Sequence, residues 1–136
     1  MSVAMSGPLQ LAVFAALEAH APLAALVGTH IYDAVPSGDL PPLYVRLGGE
    51  SVRDASDVSG GGAVHQLTLS VMTTHPGFAA AKAVAGAVCD ALQDADLVLT
   101  RGRLVSLRFQ RATARRRDAE TSRRIDLIFR ARVQDD

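Results

Sequence analysis

The chain has 136 residues, 49% of them hydrophobic and 21% charged, with no tryptophan, one cysteine and a formal net charge of zero. That length supports one domain with a buried core and excludes two, and the composition excludes both a disordered chain and a disulfide-stapled one. The charge is unevenly spread: residues 1–100 hold three basic and nine acidic residues, whereas residues 101–136 hold eleven arginines and five acids.

Leu9, Val13, Ala16 and Leu17 recur at helical spacing, so a helix is predicted over about 7–19, with Ser6 as its cap and Pro8 in its first turn. This apolar start lacks a basic leader and is interrupted by Glu18, which favours a mature amphipathic helix over a signal peptide. No apolar run reaches the length of a membrane span, and no membrane partner is expected. Pro22 opens a second short helical segment, "PLAALV", which Gly28 ends. The prolines and the Ser37-Gly38-Asp39 signal then exclude a long regular element until a strand at Tyr44–Leu47. The polar, glycine-rich "GGESVRDASDVSGGGA" reads as a long flexible loop or a loose hairpin end.

In "VHQLTLSVMTT", Leu67, Leu69 and Val71 alternate with Gln66, Thr68 and Ser70, the pattern of a half-buried strand. After Pro76 the period turns helical over about 77–93, with alanines and Gly86 suited to close packing on a sheet. Val105, Leu107 and Phe109, and then Ile125 through Val133, mark two closing strands. The resulting fold class is α+β: a mainly antiparallel four-stranded sheet with helices packed on one face.

Chemistry is sparse. His20, His30, His65 and His75 form no metal-ligand spacing, and the favoured reading is that all four are exposed or in loops. Asp90, Asp94 and Asp96 read as a solvated helix end, and Gly60-Gly61-Gly62 leads into a strand rather than a phosphate-binding helix. Cys89 lies on an apolar helix face, where a buried, inert thiol is expected. No catalytic, metal or cofactor site is expected.

The most charged stretch, "ATARRRDAETSRR" at 112–124, lies between the last two strands and is therefore the end of a hairpin. Its arginines have no neighbouring aromatics to stack on bases, and Asp118 and Glu120 interrupt them. A solvated tip is the plain reading. The sharper one is a protein interface made by Arg111, Arg115, Arg116, Arg117, Asp118, Glu120, Arg123 and Arg124.

Three short motifs carry a family likeness: Ala25-Leu26-Val27-Gly28, then Ile31-Tyr32-Asp33-Ala34-Val35-Pro36, then Pro42-Leu43-Tyr44-Val45. With the later "LTLSV" strand, helix and paired strands, nearly the whole chain resembles the tail-terminator (tail-completion) proteins of long-tailed phages. It is most similar to the version found in gene transfer agents. A basic residue often precedes the "IYD" element in that family; here it is His30. The resemblance implies a structural protein without cofactor. Its copies form a ring, typically of six, that ends the tail tube and joins head-connector proteins in the neck of a phage-like particle made in a bacterial cytoplasm. DNA passes through the ring without its sequence being read. The alternative from the residues themselves is a small nucleic-acid-binding module using Arg111 to Arg124.

Overall fold

Three helices lie on one face of a five-stranded sheet in the computed structural model, which describes residues 3–56, 60–117 and 122–135. The order is α1 (Ser6–Ala19), α2 (Ala21–Val27), β1 (Ile31–Tyr32), β2 (Leu43–Asp54), β3 (Gly61–Thr73), α3 (Ala79–Leu92), β4 (Arg103–Arg117) and β5 (Ser122–Asp135). Across the sheet the strands run β1-β2-β3-β5-β4. All neighbours are antiparallel except β1 and β2.

The α+β class stands, but the sheet has a fifth strand and is mixed. The proline-rich segment does exclude a long element, yet Ile31 and Tyr32 pair in parallel with Val45 and Arg46. Two residues are too few to show a period of two, so the strand has no signature of its own in the sequence. This pairing joins two of the three family-like motifs. Gly28, at φ 60°, ends α2 and turns the chain toward β1. Tyr32 and Tyr44 then meet with ring centroids 5.7 Å apart.

The helices bury one stripe each. Leu9, Val13 and Leu17 of α1, Leu23 and Val27 of α2, and Val84, Val88 and Leu92 of α3 cover Val45, Leu69, Val71 and the five β5 residues Ile125, Leu127, Phe129, Ala131 and Val133. At roughly 25 cal/mol per Å² of apolar surface removed from water, this single core is the main source of stability. Gly86 does not supply the close approach expected of it: it is exposed, and a Cβ there would meet nothing. Ala81, Ala85 and Ala87 are the small residues buried instead.

Three further expectations change. Ser6 does not cap α1; Met5 holds the cap position without a side-chain bond, and the Ser6 hydroxyl donates to Glu50 of β2. Of the two readings of 48–63, the flexible loop gives way to the hairpin end, and most of it is paired strand, because β2 continues to Asp54 and β3 begins at Gly61; residues 57–59 lie outside the described part. His65 is neither exposed nor in a loop. It faces the helices from β3, is fully buried, and places Nδ1 2.7 Å from Glu50 Oε2. Burial pushes the Glu50 carboxyl up, but the hydrogen bonds from His65 and Ser6 and the attraction of His65 outweigh it. They hold it below its ordinary 4.5. Cys89 is half-buried, and burial, then Asp90, raise its pKa, as befits an unreactive thiol.

Candidate functional site

β4 and β5 form one long hairpin, so the arginine run does sit at a hairpin end. The structure divides that run between two surfaces. Arg115 and Arg124 are directly opposed, as are Arg116 and Arg123. Adjacent pairs along a ladder point to opposite faces. Arg116 and Arg123 therefore lie on the helix-bearing side, where Arg123 sits over the Phe78 ring at 5.6 Å and donates to the His75 carbonyl. Arg111, Arg115 and Arg124 lie on the side that no helix covers. Asp118, Glu120 and the Arg117 side chain fall outside the described residues.

The uncovered side gathers most of the described arginines. β5 sets its parity: Ile125 through Val133 alternate inward, so Arg124, Asp126, Ile128, Arg130, Arg132 and Gln134 point away from the helices. Residues directly opposite them share that face. Register then assigns nine arginines to it: Arg46 and Arg53 on β2, Arg103, Arg108, Arg111 and Arg115 on β4, and Arg124, Arg130 and Arg132 on β5.

Simple alternation would scatter these side chains. Arg46 and Arg53 differ in parity, as do Arg103 and Arg108, and Arg108 and Arg111. A register shift lies within each interval: between Leu47 and Glu50, between Leu104 and Ser106, and between Phe109 and Arg111. Each bulge inserts one residue and re-aims everything beyond it. The first is built from Gly48 and Gly49. A Cβ on Gly48 would lie 3.0 Å from the Thr68 carbonyl, so the bulge closes tightly over β3.

Among the described strand residues, Asp126 is the sole carboxylate that register places on this face, and it is already saturated; Asp39 borders the face beside Tyr44 and Met72. Asp126 accepts from Ser70 at 2.6 Å and from Arg124 at 2.8 and 3.0 Å, with Arg115 at 3.1 Å. Burial raises its pKa, but those bonds and the two guanidinium charges together bring it below the ordinary 3.8. Arg108 has only a long contact, 3.9 Å, to the exposed Asp94. Arg46, Arg53, Arg103, Arg111 and Arg130 make no ion pair with a described carboxylate.

The rest of the face is polar: Ser51, Gln66, Thr68, Ser106 and Thr113. Of its large apolar members, Tyr44, Val64 and Met72 are buried and Tyr32 and Ile128 are half-buried. Their register neighbours Arg46, Arg53, Arg124 and Arg132 have stems long enough to overlie such groups while the heads stay in water. A shallow recess near its middle is lined by Arg53, Val64, Gln66, Gln110 and Arg130. No group of three or more His, Cys, Asp or Glu among the described residues could hold a metal ion.

Sequence reasoning singled out the arginines at 111–124 and passed over Arg46, Arg53, Arg103, Arg108, Arg130 and Arg132. The signal that could have found Arg130 and Arg132 is the strict alternation of β5. Nothing local pointed to Arg46 and Arg53.

The family model described as "Tail completion protein gp17" matches residues 11–134. No curated protein matches. A chain in a solved structure described as "Virion of native gene transfer agent (GTA) particle" is 61% identical, with a TM-score of 0.93, covering 98% of this chain and 99% of that one.

Proposed function

The chain belongs to the tail completion protein gp17 family, and on that premise we propose that it is a structural component of a gene-transfer-agent-like particle whose copies close into a ring at the end of the tail tube. The ring, typically of six, occupies the neck, where it meets the tube protein on one side and head-connector proteins on the other. DNA crosses its lumen. The family is one of tail structural proteins, and no catalytic role is assigned.

One observation supports closure by a head-to-tail contact: the sheet ends in two unlike open edges. β1 covers β2 only at Val45 and Arg46, which leaves the stretch to Asp54, with Glu50, Arg53 and Asp54, without a further strand among the described residues. At the other side no described strand lies beyond β4, whose last residues include Arg115, Arg116 and Arg117. A ring needs two different surfaces on each subunit that meet on the next. Two unlike open edges on opposite sides of one sheet, one of them ending in arginines, meet that requirement. Arginines on a free edge also discourage indiscriminate strand pairing.

Replacing Arg115, Arg116 and Arg117 together by serine is expected to leave the monomer folded and weaken the ring. Exposed ion pairs are worth only about 0–1 kcal/mol each, so single changes should do little and the triple should shift assembly several-fold. Native mass spectrometry of the protein and negative-stain images of particles carrying the variant measure this. A wild-type chain that stays monomeric at every concentration, with tails normal in its absence, would refute the ring.

A further inference from the structure

We propose that the uncovered face of the sheet is a contact surface for the phosphate backbone of duplex nucleic acid, gripping it without reading its sequence. The proposal deepens the ring reading, and rests on it only for orientation, that this face turns toward the lumen; the binding itself is a property of the subunit.

Two independent features point to an anion. The first is the imbalance itself: nine arginines against one strand carboxylate, Asp126, which is already occupied by Ser70 and two of the nine, with Asp94 only at 3.9 Å from Arg108 and Asp39 at the border. The second is that like charges are set directly opposite each other. Arg108 faces Arg130, and Arg115 faces Arg124. Opposed like charges on a ladder are destabilising. Asp126 relieves the second pair, but no described carboxylate relieves Arg130. A chain of phosphates laid across the strands would neutralise both pairs at once.

The chemistry of the face separates nucleic acid from an acidic protein, and duplex from single strand. Protein interfaces centre on exposed apolar and aromatic anchors. Of the exposed large apolar residues, Leu11, Leu26, Val98 and Phe109 lie off this face, Leu40 borders it beside Tyr44 and Met72, and Val105 falls in a bulge of the edge strand β4. Single strands are held by aromatics stacked on bases. The face's two tyrosines leave little ring to stack on: Tyr44 is buried, and Tyr32, opposite Arg46, is half-buried with its ring against Tyr44 and His30. What is exposed is guanidinium, amide and hydroxyl, the groups that contact phosphate and sugar. The recess between Arg53 and Arg130 also offers Ser51, Gln66 and Gln110 over a floor that includes Val52 and Val64, and two guanidiniums beside amides suit one phosphate.

The test is fluorescence anisotropy with two labelled duplexes of unrelated sequence and one single strand, at 50–200 mM salt. Both duplexes should bind equally and more tightly than the single strand, with affinity falling steeply as salt rises. Replacing Arg53, Arg111 and Arg130 together by glutamine should weaken duplex binding at least tenfold. It should also flatten the slope of log affinity against log salt by roughly two to three, at about 0.9 for each phosphate no longer neutralised. Lys82→Gln, on α3, should change neither. Asp126→Asn should tighten binding by releasing Arg115 and Arg124. A triple variant that binds duplex as the wild type does, or salt-insensitive wild-type binding, overturns the proposal. If that variant keeps duplex binding yet no longer joins tails, the face is a protein docking surface. Salt-sensitive binding through this face by a chain that never forms rings would refute the ring and leave this assignment intact.

Discussion

Gly102→Ala is expected to destabilise the fold by about 2–5 kcal/mol, combining left-handed backbone strain with overpacking. Gly102 links the segment after α3 to β4 at φ 63°, a region L side chains rarely adopt. A Cβ there would lie 2.4 Å from the backbone carbonyl of Gln134 and 2.7 Å from Cε of Met5. The methionine end can bend away, although Met5 is fully buried in the core. The carbonyl cannot, because Gln134 is held in β5 opposite Arg103 and Gly62. Gly38 is the matched control: its φ is 90°, but a Cβ would meet nothing within 4 Å, so Gly38→Ala carries the dihedral strain alone. Thermal melts should show Gly102→Ala falling by roughly 10 °C or more, with Gly38→Ala losing clearly less. Equal losses at the two sites would show that the contact with β5 costs nothing.

Glu50→Ala should cost about 2–3 kcal/mol, because it leaves the buried His65 ring without its charged partner. The Glu50 side chain is only 22% exposed and reaches both His65 and Ser6, so it ties α1 to β2 and β3 at one point. His65 Nε2 has no hydrogen-bond partner among the described residues, which leaves Nδ1 as the ring's link to its surroundings. Glu50→Gln should cost less, since an amide can still bond the ring. The acid dependence follows from the lowered carboxyl pKa. A depressed carboxylate contributes stability that is present above its ordinary 4.5 and is lost as pH falls through the lower folded-state value. Denaturant unfolding at pH 7 and at stepped pH below 4.5 should therefore show a larger loss for the wild type than for Glu50→Gln, which keeps only the loss due to other lowered carboxylates such as Asp126. Parallel pH profiles for the two proteins would show that Glu50 is not the titrating group.

Both sites were invisible to pattern reading for the same reason. Gly102 carries no turn signal beyond being glycine, and its crowding comes from β5, much later in the chain. Glu50 and His65 lie in or beside a glycine-rich stretch whose composition argued for a loop. The bulge at Gly48 and Gly49 let that stretch pair as strand while breaking the alternation that would have announced it.

The helices at 6–19 and 79–92, the strands around 67–73 and 125–133, and the α+β class were determined by the sequence alone within a few residues, as was the start of the strand at 105–110, although that strand runs on to Arg117. Periods of 3.6 and two are local properties, set by which side chains must leave water together. The hairpin position of residues 112–124 was determined the same way, by the strands on either side. What only the tertiary structure decided is where the charge goes. Along the chain it reads as an acidic body and a basic end. In the fold it is an asymmetry across the sheet, with nine arginines drawn from β2, β4 and β5 onto one face. The face of a strand residue depends on register, each bulge reverses parity, and a bulge exists only relative to the partner strand it is paired with.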